Sequence, residues 1–99
     1  MRLRLLRAAI EDLAEGKSFY DLQQEGVGDY FFVSLFSDIE ALELHAGIHP
    51  LHFGFHRSLA SRFPHAIYYK LLDGEAVIFR VLDCRRDPRK IAADLTSDL

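Results

Sequence analysis

Residues 63–88 read FPHAIYYKLLDGEAVIFRVLDCRRDP and contain two runs of branched and aromatic side chains, at 66–72 and 76–83. Asp73 and Gly74 lie between the runs, and this dipeptide accepts the positive φ angles of a tight type I′ turn. The pattern predicts a β-hairpin. Its second run, AVIFRVL, is apolar at almost every position, which is typical of a strand covered on both faces. We therefore expect it to be the central strand of the sheet.

Two further signals follow the hairpin directly. Arg85 and Arg86 bring two cations to the end of its second strand. Asp87 and Pro88 are residue types that cap and start helices, so a short terminal helix is predicted to about residue 95.

Before the hairpin, a short strand is predicted at residues 2–5, where polar and apolar side chains alternate. The helix predicted after it has apolar side chains at helical spacing, namely Leu6, Ile10, Leu13 and Ala14. Gly16 lies inside this helix and is expected to weaken its second half. The turn is placed at residues 23–28, where two glycines break the helix.

The strongest helical signal in the chain comes next. Its wide apolar stripe consists of Phe31, Phe32, Leu35, Phe36, Ile39, Leu42 and Ala46. Gly47 is expected to end the helix, and Pro50 prevents a restart. Because so apolar a stripe is unstable in water, we expect the two antiparallel helices to pack on the sheet.

Residues 52–63 return to alternation, with Phe53, Phe55 and Leu59 on one face. One strand is predicted here, in which Gly54 marks a bulge or a close approach. The predicted order is β-α-α-β-β-β with a short C-terminal helix. This is an α+β arrangement of two helices on a small, twisted, mostly antiparallel sheet.

Length and composition set the broad class of the protein. Ninety-nine residues, of which 49% are hydrophobic, are enough for one domain at 1–99 with a modest core. The single Cys84 cannot form an internal disulfide. No apolar run is long enough to span a membrane and Met1 starts no signal-peptide pattern, so a cytoplasmic protein without membrane contact is expected.

The net charge of −3 conceals a split between the two halves of the chain. Residues 8–47 hold nine acids against one lysine, a net charge of −8, whereas residues 52–90 hold eight cations against four acids, a net charge of +4. The basic half is able to face a polyanion or an acidic partner; the alternative is an uneven scatter of surface charge.

Two motifs carry a family resemblance. Residues 62–69 have the pattern Arg-Phe-Pro-x-Ala-Ile-Tyr-Tyr, and residues 80–88 have Arg-Val-Leu-x-x-Arg-Arg-Asp-Pro. In order and spacing they resemble the C-terminal half of the RelE/ParE superfamily, the small toxins of type II toxin–antitoxin (plasmid stabilisation) modules. The resemblance implies the same β-α-α-β-β-β fold with a C-terminal helix.

The resemblance also implies a growth-arresting toxin that a cognate antitoxin neutralises, either as a homodimer or in a toxin–antitoxin hetero-oligomer. The ParE-like branch poisons DNA gyrase without cleaving nucleic acid, and the RelE-like branch cleaves mRNA in the ribosome. A degenerate relative that only binds the antitoxin is a third alternative. Many relatives carry a histidine where this chain has Asp83, and the tail after residue 90 has no Tyr or His, so we favour gyrase over cleavage.

Candidate site residues follow from the residue types and from these motifs. Guanidinium groups bind phosphate or carboxylate in a two-pronged geometry, and one of Tyr68 and Tyr69, which point to opposite faces, is able to stack on a base. The predicted target- or antitoxin-binding residues are Arg57, Arg62, Tyr68, Arg80, Arg85 and Arg86. The catalytic candidates, should the protein cleave RNA, are Arg57, Arg62, His65 and Arg86, with His56 as a second proton carrier.

Two alternatives concern single residue types. Arg80 lies within an apolar strand, so it is equally well explained as a buried arginine paired with a carboxylate such as Asp83 or Asp87. The histidines at 45, 49, 52 and 56 have helical spacing, but Gly47, Pro50 and Gly54 interrupt any helix. Neither a metal site nor a cofactor is expected.

Overall fold

The computed structural model describes residues 1–97. In that range the chain forms four helices and one sheet of five strands. The elements in chain order are β1 (Arg2–Leu5), α1 (Arg7–Gln23), α2 (Val27–Glu40), α3 (Leu42–His45), β2 (Leu51–His52), β3 (Phe55–Leu59), β4 (His65–Leu72), β5 (Glu75–Asp83) and α4 (Pro88–Ser97). No helix within residues 1–97 is long and apolar enough to cross a membrane.

The strands lie in the order β1-β5-β4-β3-β2. β1 runs parallel to β5, and the other neighbours are antiparallel. The predicted hairpin is β4–β5, and its turn residues Asp73 and Gly74 have φ angles of 48° and 77°, which confirms the type I′ turn. β5 has a hydrogen-bonded neighbour on each side, but it is second in this order, so the prediction that it is the central strand was wrong and β4 holds that position.

Two apolar cores cover the two faces of the sheet, which confirms the α+β arrangement and explains why residues 76–82 of β5 are apolar except for Arg80. The larger core lies under α1 and α2 and contains Ala9, Leu13, Phe31, Leu35, Ile39, Leu42, Ile67, Tyr69, Ala76, Ile78 and Val81. The smaller core lies under α4 and contains Phe55, Ala66, Tyr68, Val77, Phe79, Leu82, Ile91 and Leu95.

A β-bulge in β5 shifts which side chains face each core. Tyr68 pairs with Arg80 and Tyr69 pairs with Ile78, so Phe79 is the extra residue. After this point the alternation changes phase, and Val81 rather than Arg80 faces the larger core. Because of the bulge, the Arg80 side chain does not point into the larger core, as it would in a regular strand.

The first helix is rotated relative to the predicted stripe. Ile10 is 54% exposed and Ala14 is exposed, whereas Ala9 and Leu13 are buried. Leu13 is buried as predicted, but the buried side includes Ala9 in place of Ile10 and Ala14, and it brings the Asp12 carboxylate to Arg80 of β5. Gly16 does not break the helix; a Cβ there would lie 2.4 Å from the Phe31 ring, so this glycine lets α2 approach closely.

The connection between the helices is shorter than predicted. α1 ends at Gln23 and Gly26, with φ 91°, forms the turn. Gly28 lies inside α2, where its N–H donates to Asp21 Oδ1 over 2.7 Å. The predicted long second helix is divided at Ala41 into α2 and α3, and Gly47, with φ 99°, ends it as expected.

Part of the predicted apolar stripe remains at the surface. Phe32 and Phe36 are 37% and 36% exposed and contact each other, with ring centroids 5.0 Å apart. The predicted stripe was too wide because a helix that packs on a sheet buries only the side that faces the sheet.

The predicted strand at 52–63 is a second hairpin. Phe53 and Gly54 have φ angles of 56° and 81°, and His52 pairs with Phe55 across this two-residue turn. Gly54 is thus a turn residue rather than a bulge. Phenylalanine is uncommon at positive φ, so the residue type at position 53 did not indicate a turn.

Candidate functional site

The basic end of the hairpin is formed where β4 begins and β5 ends. His65 pairs with Asp83 across the two strands, and the Cys84 N–H donates to Pro64 O over 2.8 Å. This register places the start of β4 and the arginines that follow β5 at the same end of the sheet. The sequence prediction of cations at a strand end is therefore confirmed.

The arginines at this end are bound to carboxylates of their own chain. Arg85 donates to Asp83 through Nε over 3.0 Å and through Nη2 over 2.7 Å. Hydrogen bonds from Arg85 hold the pKa of Asp83 below its usual value. Arg86 donates to Asp94 on α4, with Nη1 2.8 Å from Oδ2. Both predicted contact residues are thus largely neutralised in the free protein.

The predicted start of the terminal helix is confirmed. α4 begins at Pro88, and Asp87 Oδ1 accepts the N–H of Arg89 over 2.9 Å, as an N-cap side chain does. The helix places Asp94 within reach of Arg86, which ties the end of β5 to α4.

His65 is buried in an aromatic cluster. Only 8% of the residue is exposed, its ring meets the Phe31 ring edge-on at 4.9 Å, and Nδ1 has no hydrogen-bond partner among residues 1–97. Burial lowers the pKa of His65, while Asp83 acts in the opposite direction. The imidazole is therefore a neutral core group under ordinary conditions.

Arg86 and His65 nevertheless line one recess of about 190 Å³, together with Asp83, Tyr20 and Glu15. The pKa of Tyr20 is raised, mainly by burial. This recess is the place where the structure brings a predicted cation and a predicted proton carrier together.

Arg57 and Tyr68 lie elsewhere, on the face that α4 covers. They pair across β3 and β4, and Arg57 Nη2 lies 3.6 Å from Cys84 Sγ. Tyr68 and Tyr69 do point to opposite faces, but they are only 2% and 0% exposed. The folded chain therefore offers neither ring to a base, and a contact through Tyr68 stays a prediction that requires local opening.

Arg62 occupies a third position, beside α2. It donates to the Tyr30 hydroxyl over 2.9 Å, and its guanidinium carbon lies 5.9 Å from the centroid of that ring. Within residues 1–97 no carboxylate lies within salt-bridge distance of it. The predicted arginines therefore contact different partners: Arg57 lies against Cys84, Arg62 against Tyr30 of α2, and Arg86 against Asp94 of α4.

Arg80 has an internal partner, but not one of the two carboxylates expected. Its Nε and Nη2 donate to Asp12 Oδ2 and Oδ1, each over 2.8 Å, and Nη1 approaches Asp94 O at 3.4 Å. Asp83 and Asp87 bind Arg85 and Arg89 instead. The buried-pair explanation of Arg80 is confirmed with a corrected partner, and its predicted role in target or antitoxin binding stays a prediction.

Asp12 is the residue that sequence analysis missed. β1 ends opposite Ile78, so the edge of β5 beyond that residue has no strand beside it. Asp12 Oδ2 accepts the N–H of Val81 there over 2.9 Å. One carboxylate therefore pairs with the buried guanidinium and accepts a hydrogen bond from the open edge of β5. Sequence analysis did not single out Asp12 because it is one of several acids in α1.

Two of the five histidines, His49 and His56, lie against Tyr69. The Tyr69 hydroxyl accepts the Gly47 N–H over 2.8 Å and lies 2.5 Å from His49 Nδ1, and the His56 ring stacks on the tyrosine ring. Burial, followed by the charge of His56, lowers the pKa of His49. Within the described part of the chain, no three His, Cys, Asp or Glu side chains are placed to hold one metal ion.

The buried His65 gives a pH dependence of stability. Its folded-state pKa lies below the ordinary value of 6.5, so the unfolded chain takes up this proton first on acidification. The contribution of the neutral His65 to stability is fully present above pH 6.5, and it is lost as the pH drops through the folded-state pKa of His65. Urea unfolding at several pH values between about 7.5 and 5 is expected to show this fall in the native sequence and a smaller fall in His65→Gln.

His52→Gln is the matched control, because His52 is exposed on β2 and is expected to keep the native slope. The remaining slope in His65→Gln is assigned to His49, whose pKa is lowered in the same direction. Equal slopes in the native chain and in His65→Gln would show that the buried imidazole does not control acid stability.

Comparisons with known proteins agree with the fold. No family model matches the chain, and no curated protein sequence matches it. Among solved structures, the chain is similar to one from a structure titled "Chromosomal ParDE TA system from P. aeruginosa", with a TM-score of 0.74 and 17% sequence identity, over 82% of this chain and 92% of the other. At this identity the likeness establishes the fold, and the predicted RelE/ParE-like fold is confirmed.

Proposed function

We propose that this protein is the toxin of a type II toxin–antitoxin system, which arrests growth by binding a cellular target and is neutralised by a cognate antitoxin. The observation that carries the proposal is the fold likeness to a chain of a ParDE toxin–antitoxin structure, which covers 82% of this chain and 92% of the other. The target we propose is DNA gyrase, bound without cleavage of nucleic acid.

The state of the proton carriers favours binding over catalysis. RNA cleavage requires a base for the 2′-hydroxyl and cations that are free to hold the phosphate. His65 is buried with a lowered pKa, and His56 Nδ1 is engaged with His49 O at 2.7 Å. Arg86, the candidate cation in the same recess as His65, is already bound to Asp94, so phosphate binding at Arg86 would first have to break this pair.

One observation favours the ribosome-dependent endoribonuclease as a second candidate. His65 and Arg86 line the same recess, which is the juxtaposition of a titrating group and a cation that cleavage would need. Displacement of Asp94 from Arg86 by an RNA phosphate would leave the guanidinium to hold that phosphate beside His65. A test therefore has to measure cleavage and supercoiling in the same cells.

Expression of the chain alone is expected to arrest growth of a bacterial host, and co-expression of the antitoxin is expected to restore it. Plasmid supercoiling should change while the 5′ ends of cellular mRNA do not. His65→Gln and His56→Ala should remain toxic because proton transfer plays no part in occluding a protein target. Arg86→Ala is expected to lower toxicity through lost binding, and Arg89→Ala, a change to a 91% exposed side chain, serves as its control.

Each variant is first checked for folding by circular dichroism. New mRNA 5′ ends that disappear in both Arg86→Ala and His65→Gln would assign ribosome-dependent cleavage in place of gyrase binding. Normal growth on expression of the native chain alone would identify a degenerate, antitoxin-binding relative.

A further inference from the structure

One side of the hairpin formed by α1 and α2 faces away from the sheet. The exposed residues on this side recur every three or four positions, which places them in one row along each helix. The rows lie side by side, since Lys17 Nζ is 3.3 Å from Asp29 Oδ1. The outer strip, as we call the two rows together, consists of Arg7, Ile10, Ala14 and Lys17 on α1 and of Asp29, Phe32, Phe36 and Glu40 on α2.

The middle of the outer strip is apolar. Ile10 and Ala14 are exposed on α1, and on α2 the exposed Phe32 and Phe36 rings contact each other. Val33, which is 66% exposed, extends this surface on one side. No segment within residues 1–97 covers it. Apolar side chains at this spacing on two neighbouring helices are suited to packing against another pair of helices.

The ends of the outer strip are charged. Because the helices are antiparallel, Arg7 at the start of α1 lies at the same end as Glu40, and Lys17 and Asp29 lie at the other end. Neither Arg7 nor Glu40 has an ion-pair partner within residues 1–97. The two cations are about 15 Å apart along α1, and the two acids are about 16 Å apart along α2. The two rows are therefore complementary to each other in charge and in length.

This pattern makes the outer strip complementary to a second copy of itself. Two copies can meet face to face around a two-fold axis in the plane of contact. With the axis parallel to the helices, α1 of each copy packs on α2 of the other, and a cation meets an acid at both ends. With the axis perpendicular to the helices, α1 packs on α1, so Arg7 of one copy meets Lys17 of the other. Because like charges across an interface are costly, the first orientation is favoured.

We propose that the outer strip is the interface of a homodimer, in which α1 of each copy packs on α2 of the other around a two-fold axis parallel to the helices. Measured from the end that carries Arg7, Ile10 and Ala14 lie about 4.5 and 10.5 Å along α1. Phe36 and Phe32 lie about 6 and 12 Å along α2. Each ring of one copy therefore meets a smaller side chain of the other, Phe36 against Ile10 and Phe32 against Ala14, which lets the two surfaces interdigitate.

The size of the outer strip sets the strength of the dimer. Each helix is about 10 Å wide and the strip is about 15 Å long, so its projected area is about 300 Å² per copy. Stable interfaces bury about 800 Å² per copy, so this one belongs to the weak, reversible class. We expect a dissociation constant of about 10–100 μM. The inference goes beyond the proposed function and does not depend on it.

Sedimentation velocity of the full chain, made by cell-free synthesis, tests the dimer at about 1–500 μM. The native chain is expected to change from monomer to dimer over this range. Ala14→Glu places a charge opposite the Phe32 ring of the other copy and is expected to weaken the dimer about tenfold or more. Ala93→Glu, the same change at an exposed position of α4, is the matched control and is expected to keep the native constant. Circular dichroism checks that both variants are folded.

Exchange of charges tests the orientation of the two copies. Arg7→Glu is expected to weaken the dimer about fivefold or more at low salt, since the two-fold axis repeats the change in both copies. The double variant Arg7→Glu, Glu40→Arg is expected to restore the native constant, because it exchanges the two charges of one pair. A tighter dimer in Arg7→Glu would overturn the proposed orientation, since this result requires Lys17 of the other copy opposite position 7.

The outcomes separate this inference from the proposed function. A native chain that stays monomeric at the highest concentration would overturn the dimer and leave the toxin proposal intact. A dimer as strong in Ala14→Glu as in the native chain would show that another surface joins the copies, and it would also overturn the inference. Growth arrest on expression tests the proposed function alone, so failure of one proposal is distinguishable from failure of the other.

Discussion

Asp12→Ala is expected to lower the free energy of unfolding by about 3–5 kcal/mol, the loss associated with removing one partner of a buried ion pair. The Asp12 and Arg80 side chains are only 8% and 15% exposed, and the guanidinium would lose the carboxylate that accepts hydrogen bonds from its Nε and Nη2. The same change removes the acceptor of the Val81 N–H at the open edge of β5. Both losses fall on the strand that carries the two cores.

Urea unfolding followed by circular dichroism measures this loss. Glu15→Ala is the matched control, because it removes an exposed carboxylate from the same helix and is expected to change stability little. The double variant Asp12→Ala, Arg80→Met is expected to recover much of the loss, since no buried charge remains. A loss below about 1 kcal/mol in Asp12→Ala would show that water satisfies Arg80 and that the pair is not structural.

Gly28→Ala is expected to destabilise the protein by about 3 kcal/mol, although alanine is the better helix former. A Cβ at this position would lie 2.3 Å from Lys17 O and 2.5 Å from Asp21 Cγ. The oxygen belongs to the α1 backbone and cannot rotate away, so the two helices must separate. Separation also loosens the contact of Phe31 with the first helix.

Gly16→Ala provides the comparison for this prediction. Its Cβ would lie 2.4 Å from the far end of the Phe31 ring, so the clash is with a side chain. The double variant Gly16→Ala, Phe31→Leu is therefore expected to regain part of the stability lost in Gly16→Ala, measured by thermal unfolding. Ser18→Ala, on the exposed side of α1, controls for helix propensity. Gly28→Ala as stable as the native chain would contradict the close approach of the helices.

The features predicted from sequence are those with local causes. The Asp73-Gly74 turn depends on two residues that tolerate positive φ, and the start of α4 depends on an aspartate beside a proline. The burial of both faces of β5 was visible in its apolar run, which only Arg80 interrupts. The neighbouring Phe53-Gly54 turn was missed because its first residue does not carry the usual turn signal.

The candidate site was predicted less completely than the fold. Residue type identified the arginines and His65, but not their partners: Arg86 binds an acid of α4 and Arg62 binds a tyrosine of α2. The sequence shows only the order of these residues along the chain. Their partners follow from strand register and from the helices that pack on each face of the sheet.

The sequence by itself determined the hairpin, its turn, the strand covered on both faces, the start of the last helix and the α+β class. Each of these follows from conformational preference or hydrophobic periodicity over a few neighbouring residues. The tertiary structure alone decided the rotation of α1, the roles of Gly16 and Gly28, and the partner of Arg80. These depend on contacts between distant segments, as between Asp12 and Arg80, 68 residues apart, where burial makes an unpaired charge costly and so selects the geometry that pairs it.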